Sequence, residues 1–199
     1  MLLAAADLFS ERGYAAVSMD EIARTCGVSK PLLYTYFGSK EALFAACAEE
    51  AGAELRARLR VLIQGADAPP AERLWRGLLA VFEFVEHHRS SWRLLYPPGG
   101  RPSGEIGAGA ARARDAMAEQ VETLMADTAR GRGLPEEMIE HLGPLARVFT
   151  DLTIAAASEW AEGPQEPREI AALRVMNLTW MGFGDMLEGK GWVPGQGEV

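Results

Sequence analysis

Apolar and polar residues between positions 18 and 40 follow the period of two short helices joined by a glycine turn. Ser18 and Glu21 have the spacing of a capping box, in which the Ser hydroxyl accepts from the Glu21 amide and the Glu carboxylate accepts from the Ser18 amide. The first helix is therefore predicted to begin at Met19. Gly27 ends it, because glycine supplies the backbone freedom that a tight turn needs.

The second helix of the pair is predicted to begin after Ser29, which is a good N-cap residue. Pro31 falls in its first turn, where the missing N–H of proline costs nothing. Gly38 closes this helix, and Ser39 caps the next one. Two short helices with this spacing, followed at once by a third, are typical of a helix-turn-helix.

The faces of the second helix follow from a rotation of about 100° per residue. Leu33 and Phe37 are four residues apart and are predicted to pack inward. The opposite, outward face then holds three residues: Pro31, Leu32 and Thr35. Tyr34 and Tyr36 project to either side of that face, where a helix in a DNA major groove meets the two phosphate walls. Lys40 lies in the first turn of the following helix, so its ammonium and the free N–H groups there are predicted to bind one phosphate.

Three segments resemble the TetR family of bacterial transcriptional repressors: AADLFSERGY (5–14), MDEIARTCGVSKPLLYTYF (19–37) and GSKEALF (38–44). The resemblance implies a homodimeric repressor that binds a double-stranded DNA operator. It also implies that the base-facing positions are Lys30, Pro31, Leu32 and Tyr34, and that phosphate contacts come from Ser18, Ser29, Tyr36 and Lys40. Family members usually carry a basic segment ahead of the first helix, whereas this sequence begins at Met1 inside the predicted helix. Such an arm is either missing from the sequence or short.

Glycine and proline divide the remaining sequence into further predicted helices. The pattern predicts helices over 39–64, 71–88, 108–130, 136–161 and 169–188, a short segment over 90–95, a loop over 96–107 and a frayed tail over 191–199. The sequence shows no strand alternation and no internal repeat. The predicted fold class is therefore all-α, with a three-helix helix-turn-helix unit over 1–45 and a helical ligand-binding and dimerisation domain over 46–199.

Composition limits the function classes further. With 199 residues and 48% apolar content the chain can bury a core, and its formal net charge is −8. The first 45 residues hold four basic and five acidic side chains, so they lack the basic footprint of a nucleic-acid binder, and we expect weak non-specific DNA affinity. Cys26 and Cys47 lack C-x-x-C spacing and are interpreted as core thiols. Neither a signal-peptide pattern nor a membrane-length apolar run occurs, so we expect a cytoplasmic location with no membrane partner.

Motifs of enzymes and metal sites are missing from the sequence. There is no G-x-S-x-G, P-loop or H-E-x-x-H pattern. His87 and His88 are adjacent, so on a helix they point about 100° apart and cannot share a metal as an i,i+4 pair can. We therefore predict no enzyme activity and no cofactor. The alternative is a helical metal or redox sensor that uses Cys47, His87 and His141, or a helical enzyme without motifs.

The last two predicted helices carry more apolar surface than one chain is expected to cover. One stripe holds Leu142, Leu145, Phe149, Leu152 and Ala156, and the other holds Ile170, Leu173, Met176, Trp180, Phe183 and Leu187. We predict that these helices pair with their symmetry mates as a four-helix bundle, with Gly182 and Gly184 permitting close approach. The alternative is that both stripes serve only the internal core.

Aromatic and methionine side chains after residue 70 can form an adaptable apolar cavity. The predicted lining residues are Trp75, Leu79, Phe82, Trp92, Met117, Val121, Leu124, Phe149 and Met176, with Thr153 or Asn177 as an orienting polar group. Each residue also fits an ordinary core position. The effector site is implied by resemblance to a family whose members commonly bind effectors between these helices. The hypothesis is that a small apolar ligand changes the spacing of the two recognition helices and so releases the repressor from its operator.

Overall fold

The structure is a computed structural model, and it describes residues 1–63, 68–97, 104–163, 166–187, 192–193 and 197–198. The helices are α1 (Leu2–Arg12), α2 (Met19–Cys26), α3 (Lys30–Phe37), α4 (Lys40–Ile63), α5 (Pro70–His87), α6 (Arg89–Leu95), α7 (Gly104–Gly131), α8 (Glu136–Ile139), α9 (Leu142–Glu162) and α10 (Arg168–Leu187). Two short strands, β1 (Trp192–Val193) and β2 (Gly197–Glu198), pair antiparallel. The predicted all-α class is confirmed. Within the described ranges, no helix has the length and apolar character needed to cross a membrane.

The chain divides into two compact units. The first holds Met1–Arg58 and Phe84–Ala116, and the second holds Leu59–Glu83 and Met117–Val199. This division differs from the predicted boundary at residue 45. The physical reasons are that α4 continues through that position as one helix and that α6, although distant in sequence, packs against α1.

The core of the first unit holds α2 and α3 in place. Phe9, Ile22, Leu33 and Leu43, one from each of the first four helices, are almost completely buried in one apolar cluster. Leu94 of α6 belongs to the same cluster. Burying such side chains is worth roughly 1.5 to 3 kcal/mol each, so the helix-turn-helix is fixed by its packing and not only by its caps.

The core of the second unit is built from α5, α7, α9 and α10. Phe82 is fully buried and packs edge to face on Trp160, with ring centroids 5.6 Å apart. Thr150 and Thr153 are also buried. Their hydroxyls donate to the carbonyl oxygens one turn earlier, at 2.8 and 2.9 Å, so neither is left unsatisfied in the apolar interior.

Three predicted boundaries were wrong. The helix predicted over 136–161 is broken into α8 and α9, because Pro144 has no N–H to continue the hydrogen-bond ladder into α9. The loop predicted to reach residue 107 ends earlier, since α7 already begins at Gly104. Glycine costs a helix only about 1 kcal/mol per residue, and a long helix can absorb that cost. The tail predicted to fray contains β1 and β2, which are too short to be read from alternation.

Candidate nucleic-acid interface

Side-chain caps and left-handed glycines set the boundaries of α2 and α3. The Ser18 hydroxyl accepts from the Glu21 amide at 3.2 Å, and the Ser29 hydroxyl accepts from the Leu32 amide at 3.4 Å. Gly27, with φ 66° and ψ 29°, turns the chain between the two helices. That φ favours glycine, because a Cβ there meets the following carbonyl oxygen. The predicted start and end of both helices are confirmed.

The outward face of α3 is exposed as predicted. Leu33 is completely buried and Phe37 is half-buried against the core. The opposite side is exposed at five positions: Pro31, Leu32, Tyr34, Thr35 and Tyr36. Tyr36 is 69% exposed, and neither tyrosine hydroxyl has a hydrogen-bond partner among the described residues. The Thr35 hydroxyl donates back to the Pro31 carbonyl at 2.9 Å, so its oxygen remains available only as an acceptor.

Lys30 begins α3 in an ion pair that the sequence did not indicate. Its Nζ lies 2.7 Å from a carboxylate oxygen of Asp20 in the first turn of α2, and both side chains are about half exposed. The hydrogen bond to Asp20 raises the pKa of Lys30 above its ordinary value. Asp20 therefore lies at the same surface as Lys30. The pair bridges the two helices, and a phosphate or base that binds Lys30 must compete with Asp20 for it.

Lys40 differs from its predicted role as a free phosphate-binding ammonium. Its Nζ donates to the carbonyl oxygens of Tyr14 and Val17, each at 2.9 Å, and lies 4.3 Å from the centre of the Tyr14 ring. The loop between α1 and α2 offers these carbonyls because they have no partner within a helix. Lys40 therefore fixes that loop onto the start of α4, and one of its three donors remains for a phosphate.

Glu21 also has a different partner from the predicted one. The capping box assigned its carboxylate to the Ser18 amide, but the carboxylate forms an ion pair with Arg12 of α1. Asp20 and Glu21 are adjacent, and together they engage two of the four cations in the first 45 residues. Arg24, on the exposed side of α2, is the cation in that stretch for which the described residues supply no partner. The free positive charge on this surface is consequently small.

An aromatic cluster fixes α1 to the start of α4. The Tyr14 ring contacts those of Phe9 and Phe44, with centroids 5.8 and 5.3 Å away. Its hydroxyl donates to the Glu41 carboxylate at 2.5 Å. Burial, followed by this hydrogen bond, raises the pKa of Tyr14 to about 12, and the same bond lowers the pKa of Glu41. The conformation of the loop before α2 thus depends on a neutral Tyr14 and an ionised Glu41.

Two narrow apolar cavities lie among α5, α7, α9 and α10 of the second unit. One, of about 30 Å³, is lined by Leu59, Leu74, Gly77, Leu78, Val81, Met117, Val121, Phe149, Thr150 and Thr153. The other, of about 20 Å³, is lined by Pro70, Leu74, Val121, Leu124, Met125, Thr128, Phe149, Thr179 and Trp180. Ligand pockets for small molecules measure about 300 to 1,000 Å³, so neither cavity holds such a ligand without movement of side chains.

Five of the predicted effector residues line these cavities: Met117, Val121, Leu124, Phe149 and Thr153. Six do not line them: Trp75, Leu79, Phe82, Trp92, Met176 and Asn177. Asn177 is exposed on α10. Trp92 lies in the first unit and packs on Tyr96, with ring centroids 4.5 Å apart. The prediction missed Leu74, Leu78 and Val81, which form the neighbouring stripe of α5, displaced by one residue from the stripe of Trp75, Leu79 and Phe82.

Cysteine and histidine residues of the alternative sensor interpretation do not form a metal site in the described ranges. No group of three or more His, Cys, Asp or Glu side chains there could hold a metal ion. Cys47 is buried, and its thiol donates to the Leu2 carbonyl at 3.5 Å. Burial raises the pKa of this thiol to about 12, which disfavours the reactive thiolate.

The last two helices expose part of the predicted apolar stripes. Leu145, Ile170 and Leu173 of the predicted stripes are exposed, and so are Val148, Leu178 and Met181, which the prediction did not include. Leu142 and Phe149, by contrast, are buried within the unit. The side chains of Phe183 and Leu187, and the packing at Gly182 and Gly184, lie outside the described residues.

Family sequence models match most of this chain. The model described as "Bacterial regulatory proteins, tetR family" matches residues 1–47. The model described as "Tetracyclin repressor-like, C-terminal domain" matches residues 70–182. Among solved structures, a TetR-like transcriptional regulator from Rhodococcus sp. RHA1 is 31% identical, with a TM-score of 0.72 over 92% of this chain and 93% of that one. AibR, solved with isovaleryl coenzyme A and operator DNA, is 20% identical, with a TM-score of 0.67 over 89% and 94%, which shows a shared fold.

Curated relatives match about half of this chain. The transcriptional activator FasR of Mycolicibacterium smegmatis is 38% identical over 96 residues, which is 48% of this chain and 43% of that protein. The transcriptional regulator EthR of Mycobacterium tuberculosis H37Rv is 30% identical over 94 residues, or 47% and 44% of the two chains. The chain thus spans less than half the length of these relatives. Both are transcriptional regulators.

Proposed function

Because this chain belongs to the TetR family of bacterial regulatory proteins, we propose that it regulates transcription by binding operator DNA in the cytoplasm through α2 and α3. The outward face of α3 is the observation that supports this function best. The α3 helix is short and capped, and the buried Leu33 packs it against the core, while Leu32, Tyr34 and Tyr36 are exposed on its other side. A helix of this kind fits a DNA major groove.

Five polar residues of this surface have a proposed task. Lys30 reads a base, because a lysine ammonium can bind the two acceptors of guanine in the major groove. Tyr36 donates its hydroxyl to a phosphate. Ser18 and Ser29 accept from helix amides, but each still has its own hydroxyl hydrogen to donate to a phosphate. Lys40 acts mainly as a positioning residue for the loop before α2.

Selection of a preferred duplex from a random pool tests the DNA-binding proposal. Affinities for the selected duplex and for random DNA are then measured by fluorescence anisotropy. Lys30→Ala should relax the preference at one base position by roughly 1 to 3 kcal/mol, whereas Tyr36→Phe should leave the preference unchanged. If no duplex is enriched, the DNA-binding proposal fails. If Lys30→Ala leaves the discrimination ratio unchanged, Lys30 is not a base reader.

We also propose that a second copy of the chain covers the exposed apolar residues of α9 and α10. Val148 and Met181 are 65% and 68% exposed, and such residues at helical spacing on two adjacent helices suit a four-helix bundle with a symmetry mate. Val148→Glu should then give a monomer in sedimentation experiments at micromolar concentration. Leu3→Glu is a matched control, because Leu3 is 61% exposed on α1 and should leave the dimer intact. A wild-type monomer would remove this proposal.

The direction of regulation that we propose is repression, with release by a small apolar ligand bound among α5, α7 and α9. The AibR complex with isovaleryl coenzyme A and operator DNA gives a precedent for an effector on this fold. The ligand would have to enlarge the cavity beside Met117 and Phe149 by moving their side chains. FasR is an activator, so a reporter gene carrying the selected operator must decide between repression and activation.

A thermal-shift screen of apolar compounds followed by operator titration tests the ligand proposal. A true effector raises the melting temperature in proportion to its binding and lowers the operator affinity. Val121→Phe fills both cavities and should abolish the shift, provided that the variant melts as a folded protein. A compound that stabilises the protein without changing its operator affinity would contradict the proposed release.

A further inference from the structure

A third cavity, of about 310 Å³, opens where the end of α7 meets α8 and the start of α9. Six of its lining residues are apolar: Ala129, Leu134, Met138, Ile139, Leu142 and Leu145. Its other two lining residues are Glu137 and His141. The volume reaches the range of small-molecule sites, which are mostly apolar with a few polar groups. This cavity shares no lining residue with the two narrow ones, so it is independent of the effector site proposed above.

The chemistry of the two polar residues limits what the cavity can bind. The Nδ1 atom of His141 lies 2.7 Å from the carbonyl oxygen of Glu137. A carbonyl oxygen can only accept, so Nδ1 carries the hydrogen, and in the neutral imidazole Nε2 is an acceptor. The Glu137 carboxylate is exposed, has no hydrogen bond or ion pair with another described residue, and also accepts. Both polar groups are exposed and can therefore accept from a donor on a ligand, and one of them carries a negative charge.

Among the described residues, no Lys or Arg side chain lines the cavity to bind an acidic ligand. Arg130 is nearby in sequence, but its guanidinium is engaged at 3.0 Å by Glu136 and at 3.7 Å by Asp127. The hydrogen bond to Glu136 raises the pKa of Arg130, so the guanidinium stays charged and stays paired with Glu136. A carboxylate or phosphate in the cavity would approach the Glu137 carboxylate with no cation beside it, so like-charge repulsion disfavours anions there.

We propose that this cavity binds a small amphipathic amine. The apolar part of the amine contacts Leu134, Met138 and Leu142, and its ammonium donates to the Glu137 carboxylate and to Nε2 of His141. The charge-assisted hydrogen bond to Glu137 selects the amine over a neutral compound of the same shape. Leu145 belongs both to this cavity and to the proposed dimer face, so the site lies at the edge of that face.

Titration with three compounds of one shape tests this site: 4-phenylbutylamine, 4-phenylbutanol and 4-phenylbutanoate. Heats of binding are measured at fixed ionic strength for the wild type, Glu137→Gln and Glu136→Gln. The wild type should bind the amine more tightly than the alcohol and should not bind the carboxylate. Glu137→Gln should weaken amine binding at least tenfold and leave alcohol binding unchanged. Glu136→Gln is the matched control, because it removes one negative charge at the position next to Glu137. The Glu136 side chain does not line the cavity and is paired with Arg130.

Three results would overturn the proposal. One is that the wild type binds no amine at millimolar concentration, or binds all three compounds equally. Another is that Glu136→Gln weakens amine binding as much as Glu137→Gln, because the attraction would then come from the general negative charge of the protein. The last is that Met138→Glu produces a monomer in sedimentation while Leu3→Glu does not, which would mean that a second copy covers the cavity. Because the test needs no DNA, its failure would leave the proposed regulator function untouched.

Discussion

Replacing Asp20 by Asn tests whether one ion pair limits the affinity of this protein for random DNA. In the free protein the Lys30 ammonium lies 2.7 Å from an Asp20 carboxylate oxygen, at the surface where α3 is proposed to meet the duplex. A phosphate that binds Lys30 must displace Asp20 and must also approach its negative charge. Asparagine has nearly the same size, so the substitution removes the charge and leaves the packing of α2 and α3 intact.

The expected size of the effect follows from counterion release. One additional phosphate contact makes the dependence of log K on log salt steeper by about 0.9, which is a further loss of about 3.5-fold between roughly 50 and 200 mM salt. We expect this steeper salt dependence for Asp20→Asn on random duplexes, because there the wild-type Lys30 stays paired with Asp20. On the operator, the wild-type Lys30 has already left Asp20 to bind DNA, so the substitution changes the salt dependence of operator binding less. Asp20→Asn should therefore raise random-DNA affinity at low salt and lower operator discrimination.

Anisotropy titrations of a labelled random duplex over that salt range measure the slope. Asp7→Asn is the matched control, because Asp7 is an exposed acid of α1 with no partner among the described residues, and its replacement changes the net charge equally. The reasoning is refuted if both variants steepen the slope by the same amount, since net charge would then explain the effect. An unchanged slope in Asp20→Asn would refute it as well.

Further substitutions test the remaining contacts of the interface. Tyr36→Phe should weaken binding to operator and random duplexes by the same factor in anisotropy titrations, because phosphate contacts carry no sequence information. Ser29→Ala should lower the free energy of unfolding in urea by about 1 kcal/mol through loss of the α3 cap. Lys40→Met should lower both the melting temperature and the DNA affinity, since two loop carbonyls lose their donor, and an unchanged melting temperature would contradict this. Because the pKa of Tyr14 is raised, the contribution of this side chain to stability is present below pH 10 and is lost as the pH rises through about 12. Glu41→Gln should lower the pKa of Tyr14 in an ultraviolet titration. It should not restore the ordinary value, because burial is the larger cause of the shift.

Local hydrogen bonds explain why the helix-turn-helix could be predicted from the sequence. Ser18 and Ser29 accept from amides three residues ahead, and Gly27 and Gly38 take positive φ at the ends of the same helices. All of these interactions join residues within one turn. They depend on residue type and spacing, which the sequence states directly.

Partners of charged side chains could not be predicted in the same way. Glu21 contacts Arg12, Lys30 contacts Asp20, and Lys40 donates to two carbonyl oxygens of the α1–α2 loop. Each contact joins residues that are 9 to 26 positions apart. Only the packing of α1, α2 and α4 around their common core brings these groups together.

The sequence by itself therefore determined the helical class, the ends of α2 and α3, and the division of α3 into a buried and an exposed face. The tertiary structure alone decided which side of α5 faces a cavity, because Leu78 and Leu79 are adjacent apolar residues and the sequence pattern does not show which of them lines it. It also decided that α6 contributes to the core of the first unit, and that α8 and α9 separate to form the cavity beside Glu137. These features depend on how helices pack against one another. Hydrophobic burial drives that packing and is non-directional, so the sequence pattern shows which residues are apolar but not which partners they pack against.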